Sequence, residues 1–303
     1  MKKIMTISIG IPAHNEEANI RKLIESIIEQ KTNSKYFIKE IIVACDGCID
    51  KTADIVRKIS NKDKRVKVID DGKRHGQSGR LNRFYKSIKS DIFITFDADT
   101  RLSSDSVVNE IAKMFDDDQV MLVGGNDQPD FPKNLIQKIG RVWVESWYEM
   151  RSKINNGDTV HNHKGCVSAG RMSFLRSVKI PQNIFSNDDF LYFSCKQMGY
   201  KFKFAQKAVV YYKIPSNFHE YMTQTTRFLG LKHRIAKYFG EQIYEDYKIP
   251  VKNKIRGLIV TFLRHPLLLT LAIILQVYQR LFKKFYTENY KGVSWTVIKS
   301  SKK

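Results

Sequence analysis

The feature that most constrains this chain is a repeated alternation in its N-terminal part: a short apolar run, a polar loop, then a segment with helical periodicity. Thr6 to Ile11 reads as a strand, followed by a helix capped by Asn15, with Glu16 and Glu17 in its first turn and Ile20, Ile24, Ile27 and Ile28 on one face. Ile38 to Ala44 is a second strand and Thr52 to Ile59 a second helix. Val66 to Ile69 is a third strand, followed by a helix from about Ser78 to Ile88. A fourth strand ends at Asp97, a helix capped by Ser103 or Ser104 follows, and Val120 to Val123 closes the series. Strands alternating with helices predict an α/β fold, a doubly wound, mostly parallel mixed sheet. In such sheets ligands sit outside the carboxyl ends of the strands.

The fourth strand carries the sharpest chemical signal. Asp97-Ala98-Asp99 places two carboxylates one residue apart at a strand end. Alternate side chains of an extended chain share a face, so both can address one point. Two hard oxygen ligands suit Mg2+ or Mn2+, with the other positions left to water and a substrate phosphate. Three further motifs fall at strand-to-helix handovers: Pro12-Ala13-His14-Asn15-Glu16-Glu17, Cys45-Asp46-Gly47-Cys48-Ile49-Asp50-Lys51-Thr52 and Gly76-Gln77-Ser78-Gly79-Arg80-Leu81-Asn82. Acids, amide donors and helix N-termini gathered on one edge can read a nucleotide. Asp46 would accept from a base N–H, Asp97 would hold ribose hydroxyls, and Asp99 would hold a metal on a diphosphate.

The second half is less regular. Lys133 to Ile154 is predicted as a long helix with Trp143, Trp147 and Tyr148 near one side, a stripe read as packing. A loop from His161 to Gly165, a strand from Cys166 to Gly170, a helix from Asp188 to Met198, a strand from Ala208 to Tyr212 and a helix from about Ser216 to Phe239 follow. His161 and His163 read as structural or solvent-facing loop residues.

The 303 residues carry 52 basic and 31 acidic side chains, a formal charge of +21. Such an excess permits nucleic acid, an anionic membrane or phosphorylated substrates. From Lys248 onward Glu288 is the only acid among a dozen Lys and Arg, and apolar runs (Leu258 to Leu263, Leu267 to Leu275) interleave with them. That mixture favours a membrane surface over nucleic acid. The run from Pro266 to Phe282 is interrupted by Gln276, Gln279 and Arg280, and basic residues flank it on both sides. It suits a hairpin or an in-plane helix better than a single crossing, with a buried soluble helix pair as the alternative. Of the four cysteines only Cys45 and Cys48 have ligand-like spacing, and reduced thiols are the simpler reading. The basic first residues run straight into the strand pattern from Ile4, so no signal peptide is expected.

The ordered motifs resemble the family 2 glycosyltransferases, whose pattern is P-A-x-N-E-E, D-D-G-S-x-D-x-T, G-K-x-x-A-L-N and D-A-D, over about Ile4 to Phe228. Cys45, Cys48, Gln77 and Arg80 depart from it. The resemblance implies a GT-A fold over residues 1–240, with a nucleotide-sugar half (1–125) and an acceptor half (126–240), and a basic membrane-associated segment over 241–303. It implies nucleotide-sugar contacts from Pro12, Ala13, Asn15, Glu16, Asp46, Gly76, Asn82 and Asp97, and metal ligation by Asp99 with Asp97. An acceptor-side base is implied within Asn187-Asp188-Asp189: spacing to Gly199-Tyr200 favours Asp188, the paired-acid reading Asp189. Gln224, Arg227 and Phe228 resemble the Q-x-x-R-W motif of membrane-bound members and would meet diphosphate or acceptor. The expected activity is inverting, metal-assisted transfer from a UDP-sugar, or a GDP-sugar, to a lipid-linked or polysaccharide acceptor at the cytoplasmic face of the membrane. Single-sugar transfer is preferred over a processive synthase. A nucleotidyltransferase would open with a glycine-rich basic loop, which the first motif is not. A non-catalytic basic binding protein would interleave Lys and Arg with exposed aromatics along one face.

Overall fold

The computed structural model describes residues 4–182, 184, 186–286 and 300. Strand β1 (Met5–Ala13) buries Ile7, Ile9 and Ile11 completely on one face. On the other face Gly10 lets the Phe93 ring lie where a Cβ would come within 2.3 Å of it. Such two-sided burial belongs to a central strand of an α/β sheet. Helix α1 (Ile20–Ile28) buries Ile20, Leu23, Ile24 and Ile27 against that face, each side chain contributing roughly 1.5–3 kcal/mol relative to exposure. Then come β2 (Tyr36–Cys45), α2 (Thr52–Lys62), β3 (Val66–Asp70), α3 (Gly76–Ser87), β4 (Ile92–Phe96), β5 (Thr100–Leu102), α4 (Val107–Ala112) and β6 (Val120–Pro129). Helix α5 (Leu135–Arg151), β7 (Val167–Arg171), α6 (Met172–Ser177), α7 (Asn187–Gln197), β8 (Lys201–Tyr212), α8 (Phe218–Thr226) and α9 (Leu231–Phe239) complete the sheet's cover. Helices α10 (Val251–Arg264) and α11 (Pro266–Leu281) form a C-terminal hairpin.

The sheet runs β3-β2-β1-β4-β7-β6-β8-β5. β1 to β4 are mutually parallel wherever they pair, as alternation requires, and β6 and β8 are also parallel. β7 runs antiparallel between β4 and β6, and β5 antiparallel to β8. The α/β mixed sheet expected from the sequence is therefore present.

Several local expectations shift. Asn15 does not cap α1. It sits in the left-handed region at φ 53°, and its side-chain oxygen accepts from the Ile49 N–H at 2.9 Å, so the helix starts at Ile20. Glu16 and Glu17 therefore lie ahead of the first turn. Neither Ser103 nor Ser104 caps α4, which begins after Ser106; the preceding residues form β5 instead, a strand too short to show a period. The helix expected from Ser216 to Phe239 is broken: Gly230 adopts φ 80° and separates α8 from α9.

The C-terminal runs form two helices that pack along α5. Gly257 admits Met150, whose Cγ lies 2.4 Å from where a Cβ would stand; Leu269 and Ala272 are buried, and Arg264 pairs with Glu149 at 3.2 Å. The polar interruptions have partners on α8: buried Gln279 donates to Thr226 at 3.4 Å, and Gln276 hydrogen-bonds Tyr221. No helix among the described residues is long and apolar enough to cross a membrane. The outward face is nonetheless apolar, with Leu263 at 78% and Leu267 at 80% exposure, and Ile255, Ile259, Ile274 and Leu281 beside them. Residues 287–299 and 301–303 of the expected 241–303 segment lie outside the described residues.

Candidate active site

The first two strand-end motifs are laced together. Ala13 O accepts from the Asp46 N–H at 2.7 Å and from the Cys48 thiol at 3.3 Å. The Glu16 N–H donates to Thr52 Oγ1 at 2.7 Å, while Glu16 Oε2 accepts from Asn19. Asn15 thus anchors the second motif through its side-chain oxygen. Cys45 and Cys48 hydrogen-bond each other; this and the Asn15 amide bring the Cys48 thiol down to about 7, while Cys45 is pushed up.

Asp46 is nearly buried and works as a hub. Its Oδ1 accepts from the His75 N–H at 2.6 Å and from Arg80 Nε at 3.0 Å, and its Oδ2 from the Gly76 N–H at 3.1 Å. Gly76, at φ 71°, presents that N–H at the start of α3. Arg80 stands where the family pattern has alanine. It is 1% exposed and also pairs with Asp71 at 2.8 Å and with Lys73 O at 2.6 Å, so it welds the third motif to the second. Asn82 turns away from this edge: its amide donates to Ile180 O at 2.7 Å and accepts from the Ile180 N–H at 2.9 Å. It braces α3 against the segment that leads to α7.

A cavity of about 750 Å³, counting its open mouth, lies at the carboxyl ends of β1 and β4. Gln77, Asp97, Lys164, Asp188 and Asp189 contribute to its polar wall, and Pro12, Leu81, Tyr85, Leu191, Phe228 and Leu231 to its apolar side. Gln77 Nε2 donates to Asp97 Oδ1 at 3.3 Å. Burial, and then the charges of Asp99, Asp188 and Glu16, hold the Asp97 carboxyl well above the usual carboxylate range. Glu16 of the first motif, Asp99 of the fourth and Asp188 of α7 thus all act on Asp97. A divalent cation would reverse that repulsion, and the all-oxygen donor set suits Mg2+ or Mn2+. Among the described residues no group of three metal-ligating side chains forms. A cation held here by Asp97 and Asp99 would complete its shell with water and substrate oxygens, the mode in which Mg2+ binds with phosphates.

The start of α7 explains how Asp188 and Asp189 separate. Ser186 caps the helix, its hydroxyl accepting from the Asp189 N–H at 3.3 Å and donating to Asp188 Oδ1. The Asp188 carbonyl accepts from His163 Nδ1 at 2.7 Å, and His163 Nε2 meets Ser168 Oγ at 2.7 Å. Both loop histidines are buried: desolvation pushes His161 down to about 3 and lowers His163. Neither faces solvent. His161 packs edge-on against Trp147, in keeping with the packing reading of the aromatic stripe. Gly124 allows the close approach of this loop, because a Cβ there would stand 2.2 Å from Asn162 O. Arg151, also buried, fixes the loop by donating to His161 O at 2.9 Å and to Asp127 at 2.9 Å.

On the far wall the break between α8 and α9 places Phe228, 62% exposed, over the cavity. Gln224 and Arg227 lie on the preceding turn, partly buried, and do not line the cavity. Three contributors escaped the sequence reading. Lys164 lines the cavity from the histidine loop. Lys213 Nζ donates to Asn19 Oδ1 at 2.8 Å and faces Asp99 and Glu16. Tyr247 donates to Asp189 Oδ2. None lies in a motif, and only the neighbouring histidines flagged Lys164.

Residues 8–178 match the family model for glycosyl transferase family 2. The probable glycosyltransferase YdaM of Bacillus subtilis is 31% identical over 133 residues, 41% of this chain and 30% of YdaM. The poly-beta-1,6-N-acetyl-D-glucosamine synthase of Staphylococcus aureus is 21% identical over 234 residues, 76% of this chain and 55% of the synthase. The chain therefore spans about half or less of these relatives. Among solved structures, the mannosyltransferase PcManGT from Pyrobaculum calidifontis, in complex with GDP-Man and Mn2+, aligns with a TM-score of 0.59 at 18% identity, covering 92% of this chain and 76% of that one. S. aureus TarS 1–349 in complex with UDP-GlcNAc aligns with a TM-score of 0.52 at 15% identity, covering 84% and 79%. Motif order, sheet topology and the family match over more than half of its length agree: this chain is an enzyme of glycosyltransferase family 2 with the GT-A fold.

Proposed function

We propose that the protein transfers one sugar from a nucleotide diphosphate sugar, UDP-linked by preference and GDP-linked as the alternative, to a lipid-linked acceptor, with inversion. The observation that carries this reading is the charge of Asp99, Asp188 and Glu16 converging on Asp97, with Asp97 and Asp188 in the wall of one cavity. The complexes of TarS with UDP-GlcNAc and of PcManGT with GDP-Man and Mn2+ support the donor class.

Asp46 Oδ2 carries one internal hydrogen bond and keeps capacity for a base N–H, while its Oδ1 is fully engaged by the fold. Pro12, Ala13 and Gly76 are the proposed contacts beside it, and Asp97 is proposed to serve both ribose and metal. A Mg2+ or Mn2+ held by Asp97 and Asp99 would neutralise charge developing on the departing diphosphate. Gln224 and Arg227, i and i+3 on one helical turn outside the cavity lining, are proposed to meet phosphate only where it extends past the cavity wall. Ser186 occupies Asp188 Oδ1, which leaves Oδ2 to take the proton of the acceptor hydroxyl as it attacks from the face opposite the diphosphate. Phe228 and Leu231 give that side of the cavity an apolar wall, suited to the chain of a lipid-linked acceptor.

The outward apolar face of α10 and α11, amid the basic C-terminal segment, is proposed to lie on the anionic cytoplasmic leaflet. Sedimentation with vesicles containing phosphatidylglycerol tests this; failure to bind them at low salt would remove the membrane from the account. For the chemistry, nucleotide diphosphate release from a donor panel is decisive, and a product of retained configuration would overturn the single displacement.

A further inference from the structure

The segment between α9 and α10 reaches back to the base loop. Ile243 and Ile249 are buried, and Tyr247 lies between them with its ring against Phe193 and His161. Tyr247 O meets His161 Nε2 at 3.1 Å, and its phenol donates to Asp189 Oδ2, 58 residues earlier in the chain. Asp189 lines the same cavity as Asp188 and is the acid next to it. Resting on the reading of Asp188 as base, we infer that Tyr247 is a positioning residue of the transfer reaction: it holds the Asp189 carboxylate ionised and oriented beside Asp188, and so ties the root of the C-terminal hairpin to the base loop.

The physical case is electrostatic. Asp189 faces Asp188 on its own helix, Lys164 from the histidine loop, the Ser186 hydroxyl and the Tyr247 phenol; Tyr247 in turn faces Asp188 and Asp246. Burial first, then Asp188, push Asp189 up to about 7, while Lys164, Tyr247 and Ser186 pull the other way. An ionised Asp189 accepts from Tyr247 while its backbone N–H is held by Ser186, the hydroxyl that also holds Asp188, so the turn presenting the base is fixed. Removing the phenol takes a donor from the ionised form of Asp189, so its protonation would move to higher pH and the turn presenting Asp188 would lose that brace.

The test uses the full-length protein and two near-isosteric variants, Tyr247→Phe and Asp189→Asn. Wild-type kcat should fall as pH drops through about 7, the position of Asp189. In Tyr247→Phe that limb should move up by about one pH unit, the size expected for one hydrogen bond to a charged group. At pH 7 kcat should fall several-fold while the Kd for the nucleotide diphosphate stays unchanged. Asp189→Asn should abolish the limb, and the double variant should be no slower than Asp189→Asn alone. Carbon-13 titration of carboxyl-labelled aspartate, with Asp189 assigned from its asparagine variant, reads the same link without any substrate. An Asp189 resonance whose midpoint ignores Tyr247→Phe overturns the inference, as does a double variant whose losses multiply. A wild type that transfers no sugar overturns the functional reading and this inference together, whereas an unmoved titration removes only the inference.

Discussion

The two halves of the catalytic unit reach their chemistry by different routes. In the first, β1 to β4 are parallel and each hands over to a loop at the same edge, so Asn15, Asp46, Gly76 and Asp97 are brought near one another by the repeat itself. In the second, β7 reverses direction, and Asp188 depends on contacts that no local pattern encodes: His163 from another loop behind its carbonyl, and Tyr247 beyond α9 on its neighbour. The proposed donor side is thus positioned by topology and the proposed acceptor side by individual long-range hydrogen bonds. It follows that donor binding should survive changes in the second half that stop catalysis.

The largest effect that could break this division is at the metal acids. Asp99→Asn should abolish metal-dependent turnover, at least about 100-fold in kcat, with circular dichroism unchanged; full activity would remove the metal from the mechanism. Asp188→Asn should lower kcat by about 10²–10⁴ while the Kd for nucleotide diphosphate, read by calorimetry, stays within about twofold. A parallel loss of nucleotide affinity would mean that the halves are not separable.

A smaller effect belongs to stability. Arg80→Met leaves Asp46 and Asp71 without their buried cation and should cost about 3 kcal/mol in urea unfolding, with weaker nucleotide binding. An unchanged midpoint would deny Arg80 its role in welding the donor motifs. Smallest is the pH dependence of stability in the acceptor half. Because folding raises Asp189 to about 7, it favours the protonated form. That contribution is complete below the acid's unfolded value near 4 and is lost as pH rises through 7. Asp189→Asn should therefore melt higher than wild type at pH 8 and show no such gain at pH 4. His161 acts oppositely: held neutral down to about 3, it costs stability as pH falls below about 6.5.

This contrast also explains what was legible in the sequence. The parallel half was readable because β1, β2 and β4 bury both faces and each motif lies at a strand end, which set Asp97, Asp99 and Asp46 at that edge from sequence alone. The sequence reads Asn15 and Asn82 as ligand contacts; in the fold the Asn15 side-chain oxygen accepts from Ile49 and the Asn82 amide pairs with the Ile180 backbone. An asparagine that crosslinks loops looks in sequence like one that binds substrate. β5 was missed because three residues show no period, and the break at Gly230 because the helical pattern continues on both sides of it. Lys213 and Tyr247 were invisible because their partners are distant in the chain. The apolar C-terminal runs were read as bilayer-facing, and their interrupting Gln276 and Gln279 turned out to bind α8. That is why one face of the hairpin is a domain contact and only the other is open.

The most direct test of the central claim is diphosphate release. Purified protein would be incubated with UDP- and GDP-sugars and a polyprenyl phosphate, with Mn2+ or with EDTA, alongside Asp99→Asn and Asp188→Asn. The account predicts that one donor yields its nucleotide diphosphate with Mn2+, that EDTA and Asp99→Asn abolish release, and that Asp188→Asn binds the donor but turns it over at least about 100-fold more slowly. Release that persists undiminished in EDTA and in both variants would contradict it.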